Sequence, residues 1–509
     1  MLGKPTVLSN FSVSLRCFLR RLLRFFLRFF LRFFLLLSAC ADDPPTADAN
    51  LAIEHVTIID VERGIQRAGQ TVLIAGRHIV AVGTDERIEV PNTAQRVDGT
   101  NRFLIPGLWE MHAHVDDGAA WQFPAYLALG VTGVRDMGSR LERVAEWKRA
   151  WLDTVAAMPR IVAAGPIVIG LSQDADPRVV RAGTAEQGRL VVDSLARAGA
   201  DFIKVYDWLP RDVYFAIARA AGERGMAVAG HLPLMVDVRD VVRVRQKSIE
   251  HDGNAVGGLL LHAAADRSHL ERARTWVGRP FDPSALIGSD DARLAALLAS
   301  YTDARTDSMA RLLARANVFF TPTIVGYSVY QLPPDTLLLL DPRRAHVPAS
   351  WLVMWDEAIR GYQTQPPMAD TEVLRKQLVD TRARLLQSMH RARVPILAGT
   401  DLSPWPGAFP GWALHEELRH LVGAGLSPLS ALRAATLNPA RYFSAADSMG
   451  TVARGRLADL VLLDDDPLQD IGNTQRVHAV FANGRYLNRG ALDALLARAR
   501  NAAAAVPAQ

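Results

Sequence analysis

Cysteine is almost absent from this chain. Its only two cysteines, Cys17 and Cys40, lie within the first 40 of its 509 residues. The chain after residue 40 therefore cannot form an internal disulfide bond, and packing of its apolar residues has to hold the fold together. A length of 509 residues exceeds one compact core, so two structural parts are expected.

A long uninterrupted apolar run is also missing. Arginines interrupt the Phe/Leu-rich stretch within residues 1–40 at about four-residue spacing, and only about seven apolar residues follow Arg32. A bilayer-spanning helix needs roughly 20 consecutive apolar residues, so none is predicted. We interpret residues 1–40 as a secretion leader. The alternatives are an amphipathic helix, or a start codon placed too early and a cytoplasmic protein.

The leader ends in a recognisable motif. Leu37-Ser38-Ala39-Cys40 resembles the lipobox of bacterial lipoproteins, and residues 41–50 have the polar composition of a flexible tether. We therefore expect Cys40 to be lipidated after cleavage. Acyl chains would then anchor the protein to a bacterial membrane, facing the periplasm.

An excess of positive charge is missing outside this leader. The chain has a net charge of +5, but residues 1–40 contain seven basic and no acidic residues, which leaves −2 for the remainder. This balance gives no indication of nucleic-acid binding. No glycine-rich dinucleotide loop stands between a strand and a helix, so a redox function is poorly supported.

Short runs of strand-type residues are present at both ends of the body. Residues 51–105 contain AIEHVTIID and TVLIAGRHIVAVG, and residues 446–495 contain ADLVLLDDDP and an Asn-Gly hairpin signal. Neither piece is large enough for a core of its own. We expect them to form one small composite β-sandwich, with residues 496–509 as a tail.

Residues 106–445 alternate apolar strand-type runs with helical stretches. Repeated units of this kind predict an α/β fold, here a (β/α)8 TIM-like barrel. Two segments, about 254–315 and 328–388, are longer than ordinary connections and have helical periodicity. They are hypothesised to form a lid over the substrate pocket.

Three aromatic residues of the second segment are candidates for the lining of that pocket: Trp351, Trp355 and Tyr362. Packing between helices is the alternative for each of them.

Six residues that can bind metal end the predicted strands in chain order. Two imidazoles spaced i, i+2 on a strand point to the same face and can reach one cation. Strand ends of a parallel barrel meet at its catalytic face, so all six are expected to converge there. The six are His112, His114, Lys204, His231, His251 and Asp401.

Lys204 is the most informative of these six residues. It is one of only five lysines in an arginine-rich chain, and it lies inside the apolar stretch DFIKVY. A buried ammonium is costly, whereas a neutral amine can take up CO2 and become a carbamate able to bridge two divalent ions. The alternative is a lysine that extends to a carboxylate such as Asp207.

Tyr206, two residues after Lys204, is expected to face the same interior. It is a candidate for binding a substrate carboxylate or a developing oxyanion. A tyrosine that only fills the barrel is the alternative.

The local motifs resemble the amidohydrolase superfamily. LIPGLWEMHAHV, ADFIKVYD, GHLP, SIEHDG and ILAGTDLSP are similar to its imidazolonepropionase-like branch, which includes prolidase-type metallopeptidases. The resemblance runs from about residue 51 to residue 490. Imidazolonepropionases as a group use one metal and lack the strand lysine, so Lys204 favours the binuclear, peptidase-like members. The two long insertions leave the identity of the substrate open.

This resemblance implies a site for two divalent metal ions, for which zinc suits the nitrogen and oxygen donors. His112, His114 and Asp401 would hold the first ion, and His231 and His251 the second. A CO2-derived carbamate on Lys204 would bridge them. Metal-activated hydroxide would attack an amide carbonyl, with Asp401 as the catalytic residue that accepts a proton and returns it to the leaving amine.

The expected substrate is a small molecule, either a dipeptide or an N-acyl amino acid, cleaved as by a dipeptidase or carboxypeptidase. Hydrolysis of a cyclic amide, a lactone or another ester is the alternative, because the same hydroxide attacks any activated carbonyl. A non-catalytic lipoprotein that binds metal or peptide is more remote, since none of the six ligands is missing. The sequence leaves the oligomeric state open.

Overall fold

The computed structural model describes residues 48–115, 118–152, 158–170, 176–252, 258–275, 291–326, 336–364 and 369–507. The predicted lipidation site Cys40 and the leader lie outside these residues.

The strands are, in chain order, β1 (Leu51–Asp60), β2 (Ile65–Ala75), β3 (His78–Thr84), β4 (Gln95–Asp98), β5 (Phe103–Pro106), β6 (Leu108–Ala113), β7 (Val131–Asp136), β8 (Arg160–Ala163), β9 (Ile167–Ile169), β10 (Val179–Arg181), β11 (Phe202–Val205), β12 (Ala227–Gly230), β13 (Ser248–Glu250), β14 (Phe319–Thr321), β15 (Leu460–Leu463), β16 (Val477–Ala482) and β17 (Arg485–Leu487).

The α-helices are α1 (Ala119–Ala128), α2 (Leu141–Leu152), α3 (Ala185–Arg197), α4 (Arg211–Glu223), α5 (Val238–Val244), α6 (Gly258–Ala263), α7 (Ser268–Arg274), α8 (Asp291–Ser300), α9 (Asp303–Arg315), α10 (Ala349–Thr364), α11 (Ala369–Arg391), α12 (Trp412–Gly423), α13 (Pro428–Ala434), α14 (Leu437–Tyr442) and α15 (Arg489–Ala504). Short 3-10 helices span Thr336–Leu340, Pro342–His346 and Ile471–Gln475.

Strands from both ends of the body share one sheet of eight strands, in the order β17-β16-β15-β5-β1-β2-β3 with β4 beside β1. The antiparallel pair of β15 and β5 joins the two ends, with Leu460 opposite Pro106. The hydrogen bonds join these strands into one continuous sheet, and the packing of two layers into a sandwich stays a prediction. Within the sheet, β1 pairs with β2 along one edge and with β4 and β5 along the other.

The remaining strands form two parallel sheets. One has the order β6-β7-β8, and the other has the order β10-β9-β11-β12-β13-β14. Isolated parallel bridges, Ala113 to Leu402 and Phe320 to Ile396, place the Asp401 segment beside β6 and β14. Over the residues described, these sheets do not close into one ladder. The α/β fold class is therefore observed, and the closed eight-stranded barrel stays a prediction.

Helices follow the parallel strands and bury one face against them. In α3, a Thr184–Gln187 capping box fixes the first turn, and Val192 and Leu195 on its buried face join the main hydrophobic core. The segments 254–315 and 328–388 contain helices α6 to α9 and α10 to α11 respectively. None of the described helices is long and apolar enough to cross a membrane.

The three aromatic residues of the second segment contact other side chains of the fold. Trp355 is fully buried with its ring 5.2 Å from that of Phe409, and Trp351 lies edge-on to Trp121 at 5.1 Å. The hydroxyl of Tyr362 donates to Glu372. Packing, the alternative considered from the sequence, describes Trp355 and Trp351.

Candidate metal centre

Strand ends bring the six sequence-predicted ligands to one cavity of about 280 Å³. His112 lies on β6 and Lys204 on β11, while His231 and His251 directly follow β12 and β13. Parallel pairing of β11, β12 and β13 places Lys204, His231 and His251 side by side. His114, Asp401 and Tyr206 also line this cavity, so the structure brings together the six predicted metal ligands and Tyr206.

Three imidazoles converge on the carboxylate of Asp401. The Nε2 atom of His114 lies 3.1 Å from Asp401 Oδ1, and that of His112 lies 3.6 Å from the same oxygen. His251 Nε2 lies 3.6 Å from Asp401 Oδ2. The ligand atoms of His112, His251 and Asp401 all lie within 4.8 Å of one another, which is close enough for metal coordination.

The other nitrogen of each imidazole is hydrogen-bonded to the surrounding protein. Nδ1 of His112 lies 2.9 Å from Glu250 and that of His231 3.0 Å from Asp207. Nδ1 of His251 lies 2.6 Å from the Thr323 hydroxyl, and Nδ1 of His114 lies 3.4 Å from the Gly138 carbonyl oxygen. The carboxylate and carbonyl partners can only accept, so Nδ1 of His112, His231 and His114 is the donor and the Nε2 lone pair of each ring is left for a metal, while the Thr323 hydroxyl fixes the orientation of the His251 ring. The residues present therefore fit a divalent cation.

Burial gives these groups the protonation states that metal binding requires. It lowers the pKa of His112 and of His251 well below the ordinary value, which keeps both rings neutral. Burial likewise lowers the pKa of Lys204 to about 8. Burial acts to raise the pKa of Asp401, but the close approach of His251 and the hydrogen bond from His114 outweigh burial and lower the pKa to about 2.

Lys204 lines the cavity beside His112. Its side chain is buried at 1% exposure, and Nζ is 3.5 Å from His112 Nε2. Because its pKa is lowered to about 8, the neutral amine is far more accessible near neutral pH than it is for an ordinary lysine. Asp207, the carboxylate suggested as its partner in the alternative interpretation, instead contacts His231.

The backbone is strained where it presents two of the ligands. His251 has a φ of 61° and Asp401 a φ of 52°, a left-handed conformation that non-glycine residues adopt at a cost. The amide of Asp401 donates to the His112 carbonyl at 2.7 Å. Gly399 allows this approach, because a Cβ there would lie 2.7 Å from both the backbone nitrogen and the Cβ of His112.

Sequence reasoning missed two groups of residues. Glu110 is fully buried, and its Oε1 accepts from the amides of His112 and Thr400, which ties the two ligand-bearing segments together. Asp176 and Arg178 stand on the cavity wall, where the Arg178 guanidinium donates to Asp176 at 2.9 Å. Glu110 could have been noticed from the sequence, because EMHAH places it two residues before His112. No sequence pattern marks Arg178 as a binding residue.

Among the described residues, none from the two predicted lid segments, 254–315 and 328–388, lines this cavity. The described lining residues come from β6, β9, β10 and β11, from the residues that follow β6, β7, β9, β11, β12 and β13, and from the segment around Asp401. Trp351, Trp355 and Tyr362 are not among them.

The amidohydrolase family matches residues 103–487, which is most of the chain. The chain belongs to the amidohydrolase family. This agrees with the resemblance that its sequence motifs carry.

Among curated proteins, an ochratoxinase of Aspergillus niger is 23% identical over 449 residues, covering 86% of this amidohydrolase and 85% of the relative. Adenine deaminase 2 of Jannaschia sp. is 46% identical, but over only 55 residues, 11% of this chain and 9% of the deaminase. The chain therefore spans less than a tenth of that deaminase.

Two solved structures share the fold of this amidohydrolase. Bottromycin amidohydrolase superposes with a TM-score of 0.68 at 23% identity, covering 91% of each chain. An Xaa-Pro dipeptidase with bound methionine in its active site has a TM-score of 0.60 at 17% identity, covering 86% of this chain and 99% of the dipeptidase. Membership of the amidohydrolase family makes this chain a hydrolase, and the two solved structures, at 17% and 23% identity, show the shared fold.

Proposed function

We propose that this amidohydrolase is a binuclear metal-dependent hydrolase that cleaves the amide bond of a dipeptide or an N-acyl amino acid. One observation carries the proposal. Four imidazoles anchored through Nδ1, a buried lysine and an aspartate all line the same small cavity. A surface or packing role for these six residues does not require such convergence.

His112, His114 and Asp401 would hold one divalent ion, and His231 and His251 a second. The carbamate formed from Lys204 and CO2 would be their shared ligand, and zinc suits the donor set. Ions bound there would activate water and polarise the scissile carbonyl. The (β/α)8 barrel belongs to the same proposal, and the parallel bridges of Ala113 to Leu402 and Phe320 to Ile396 support it.

Asp401 is the residue we assign to proton transfer. Its side chain is 26% exposed on the cavity side, and its low pKa of about 2 leaves it ionised and able to accept a proton. The same carboxyl group can then give that proton to the leaving amine, which must be protonated to depart. His112, His114 and His251 surround the carboxylate and fix its orientation.

A substrate with a free carboxylate matches the cavity wall. Arg178 is the only arginine among its described lining residues, and Asp176 holds the guanidinium in place. The side chains of Ile167, Ile169 and Val179 supply an apolar surface beside it. We assign Arg178 to the substrate carboxylate, and Tyr206, whose ring lies 4.2 Å from that of His231, to the carboxylate or the oxyanion.

The test is hydrolysis of a library of dipeptides and N-acyl amino acids by the full chain, expressed with zinc and bicarbonate. We expect release of the free amino acid, and loss of that release in Asp401→Asn. Absence of cleavage by a preparation that carries two metal ions would overturn the peptidase assignment. Turnover of lactones, esters or cyclic amides in the same assay would then identify the alternative reaction.

We further propose that the enzyme is anchored to a bacterial membrane through lipidated Cys40 and faces the periplasm. The lipobox-like Leu37-Ser38-Ala39-Cys40 and the polar tether that follows support this. Mass analysis of the protein from a membrane fraction should show acyl chains on Cys40. An unprocessed amino terminus in a cytoplasmic fraction would contradict the proposal.

A further inference from the structure

A fully buried guanidinium lies behind the metal centre. Arg135 on β7 is 0% exposed, and its Nε donates to the Met111 carbonyl at 2.6 Å. Nη1 donates to the Ser248 hydroxyl at 3.0 Å, and Nη2 donates to Glu250 at 2.7 Å. A buried charge of this kind is retained only where a counter-charge and hydrogen bonds compensate it.

Glu250 supplies that counter-charge and also contacts a predicted ligand. Its Oε2 accepts from Arg135 at 2.7 Å and lies 2.9 Å from Nδ1 of His112, with all three side chains 0% exposed. The Ser248 hydroxyl donates to the other carboxylate oxygen. A guanidinium is always charged, so Glu250 is held as a carboxylate that accepts the Nδ1 proton of His112.

The four imidazoles of the site differ in the charge of the group that Nδ1 contacts. His251 and His114 contact neutral groups, the Thr323 hydroxyl and the Gly138 carbonyl. His231 contacts the carboxylate of Asp207 at 3.0 Å, but among the described contacts only Glu250 has a guanidinium fixing it in turn. A carboxylate behind an imidazole makes the ligand nitrogen more basic and fixes the ring.

We propose that Arg135 and Glu250 are positioning residues that set the metal affinity of the position to which His112 belongs. Asp207 has the corresponding role for the position of His231. The inference rests on the proposed metal centre. Its consequence is that the two positions can be weakened separately, without changing any residue that contacts the ion.

The experiment measures zinc affinity of the full chain by competition with a chromogenic chelator, for the wild type, Glu250→Gln and Arg135→Met. Loss of such a partner weakens metal binding by about 10–100-fold, which we expect at one of two positions only. Asp207→Asn should weaken the other position. Cobalt substitution gives a second readout, because the absorption of the affected ion should change in intensity while that of the other is retained.

Two further variants keep the test decisive if a buried charge left alone prevents folding. Arg135→Lys keeps the charge and should recover part of the affinity lost in Arg135→Met. Ser248→Ala removes a hydroxyl that donates to Glu250 and accepts from Arg135, and it should weaken the same position by a smaller factor. Glu417→Gln is the matched control, since Glu417 is equally buried but accepts from the Val325 amide, and none of its described hydrogen bonds reaches a predicted ligand.

Two results would overturn the inference. One is unchanged affinity at both positions in folded Glu250→Gln, and the other is an equal loss at both positions in Glu250→Gln and Asp207→Asn. Failure of the proposed function is distinguishable, because the wild-type chain itself would then bind no zinc at the chelator concentrations used.

Discussion

At the residue scale, the ligands were predictable because their chemistry is rare in the surrounding sequence. A histidine pair at i, i+2, a lysine within DFIKVY and an aspartate after an apolar run stand out from their neighbours. Their supporting residues do not. Arg135 in GVTGVRDMG is one of many arginines, and only the structure shows its guanidinium buried against Glu250.

Asp401→Asn tests the proton-transfer role. An amide cannot accept the proton, so we expect turnover to fall by about 10²–10⁴-fold, the usual contribution of general acid–base catalysis. Metal content of the purified variant, measured by atomic emission, should stay close to that of the wild type. Near-normal turnover with retained metal would mean that Asp401 acts as a ligand alone.

Arg178→Met tests the assignment of the substrate carboxylate. Hydrogen bonds to a charged group contribute about 1.5–3 kcal/mol, but Arg178 is half exposed, so a KM increase of about tenfold is expected. The increase should be confined to substrates with a free carboxylate and absent for the matching carboxamides. Arg181→Met, farther along β10, is the control. An equal change for both substrate types would contradict the assignment.

At the scale of elements, the alternation of strands and helices could be predicted from the sequence, but whether the parallel strands close into a barrel could not. Apolar runs ending in a ligand became β11, β12 and β13, and they pair in parallel as expected. The antiparallel pair of β15 and β5 joins the terminal strands into one sheet, and the pairing partner of a strand cannot be predicted from that strand's own sequence. The contacts of the two long insertions, 254–315 and 328–388, likewise depend on how they pack against the rest of the fold, which the sequence does not show.

Gly399→Ala tests the close approach of two ligand-bearing segments. A Cβ at this position would lie 2.7 Å from backbone and side-chain atoms of His112, so the segments must separate. Overpacking of this kind costs about 1–3 kcal/mol, and we also expect weaker metal binding. Gly222→Ala in α4, where a Cβ meets nothing within 4 Å, is the control and should be neutral or slightly stabilising. Denaturant unfolding measures both, and equal stability of the two variants would be inconsistent with this geometry.

At the scale of the whole molecule, the sequence separated a basic segment, residues 1–40, from a remainder of net charge −2 that gives no indication of nucleic-acid binding. It could not show which ionisable groups are buried and affect the stability of the fold. Glu417 on α12 is one, because burial raises its pKa to about 8.

Glu417 makes stability depend on pH. Between its ordinary pKa of 4.5 and about 8, the folded protein holds a proton that the unfolded chain has lost. Stability should therefore fall as pH rises through this window, by up to about 1.4 kcal/mol per pH unit. Urea unfolding at pH 5.5 and 7.5 measures the slope, which should be smaller in Glu417→Gln, a variant that cannot ionise. Identical slopes in both proteins would exclude Glu417 as the cause.

Metal removal should also act on the whole molecule. An ion that binds only the folded state stabilises it by about 2.7 kcal/mol at a free concentration 100 times its Kd. Chelation should therefore lower the thermal unfolding midpoint, and added zinc should restore it. A midpoint that is the same with and without metal would contradict binding to the folded cavity.

The most direct test is a zinc titration of metal-free full-length protein in the presence of bicarbonate, with amide hydrolysis and bound metal measured in each sample. We expect no turnover without metal and full turnover at two zinc ions per chain. Full turnover in the metal-free protein, or none in protein shown to hold two ions across a broad panel of carbonyl substrates, would contradict this expectation.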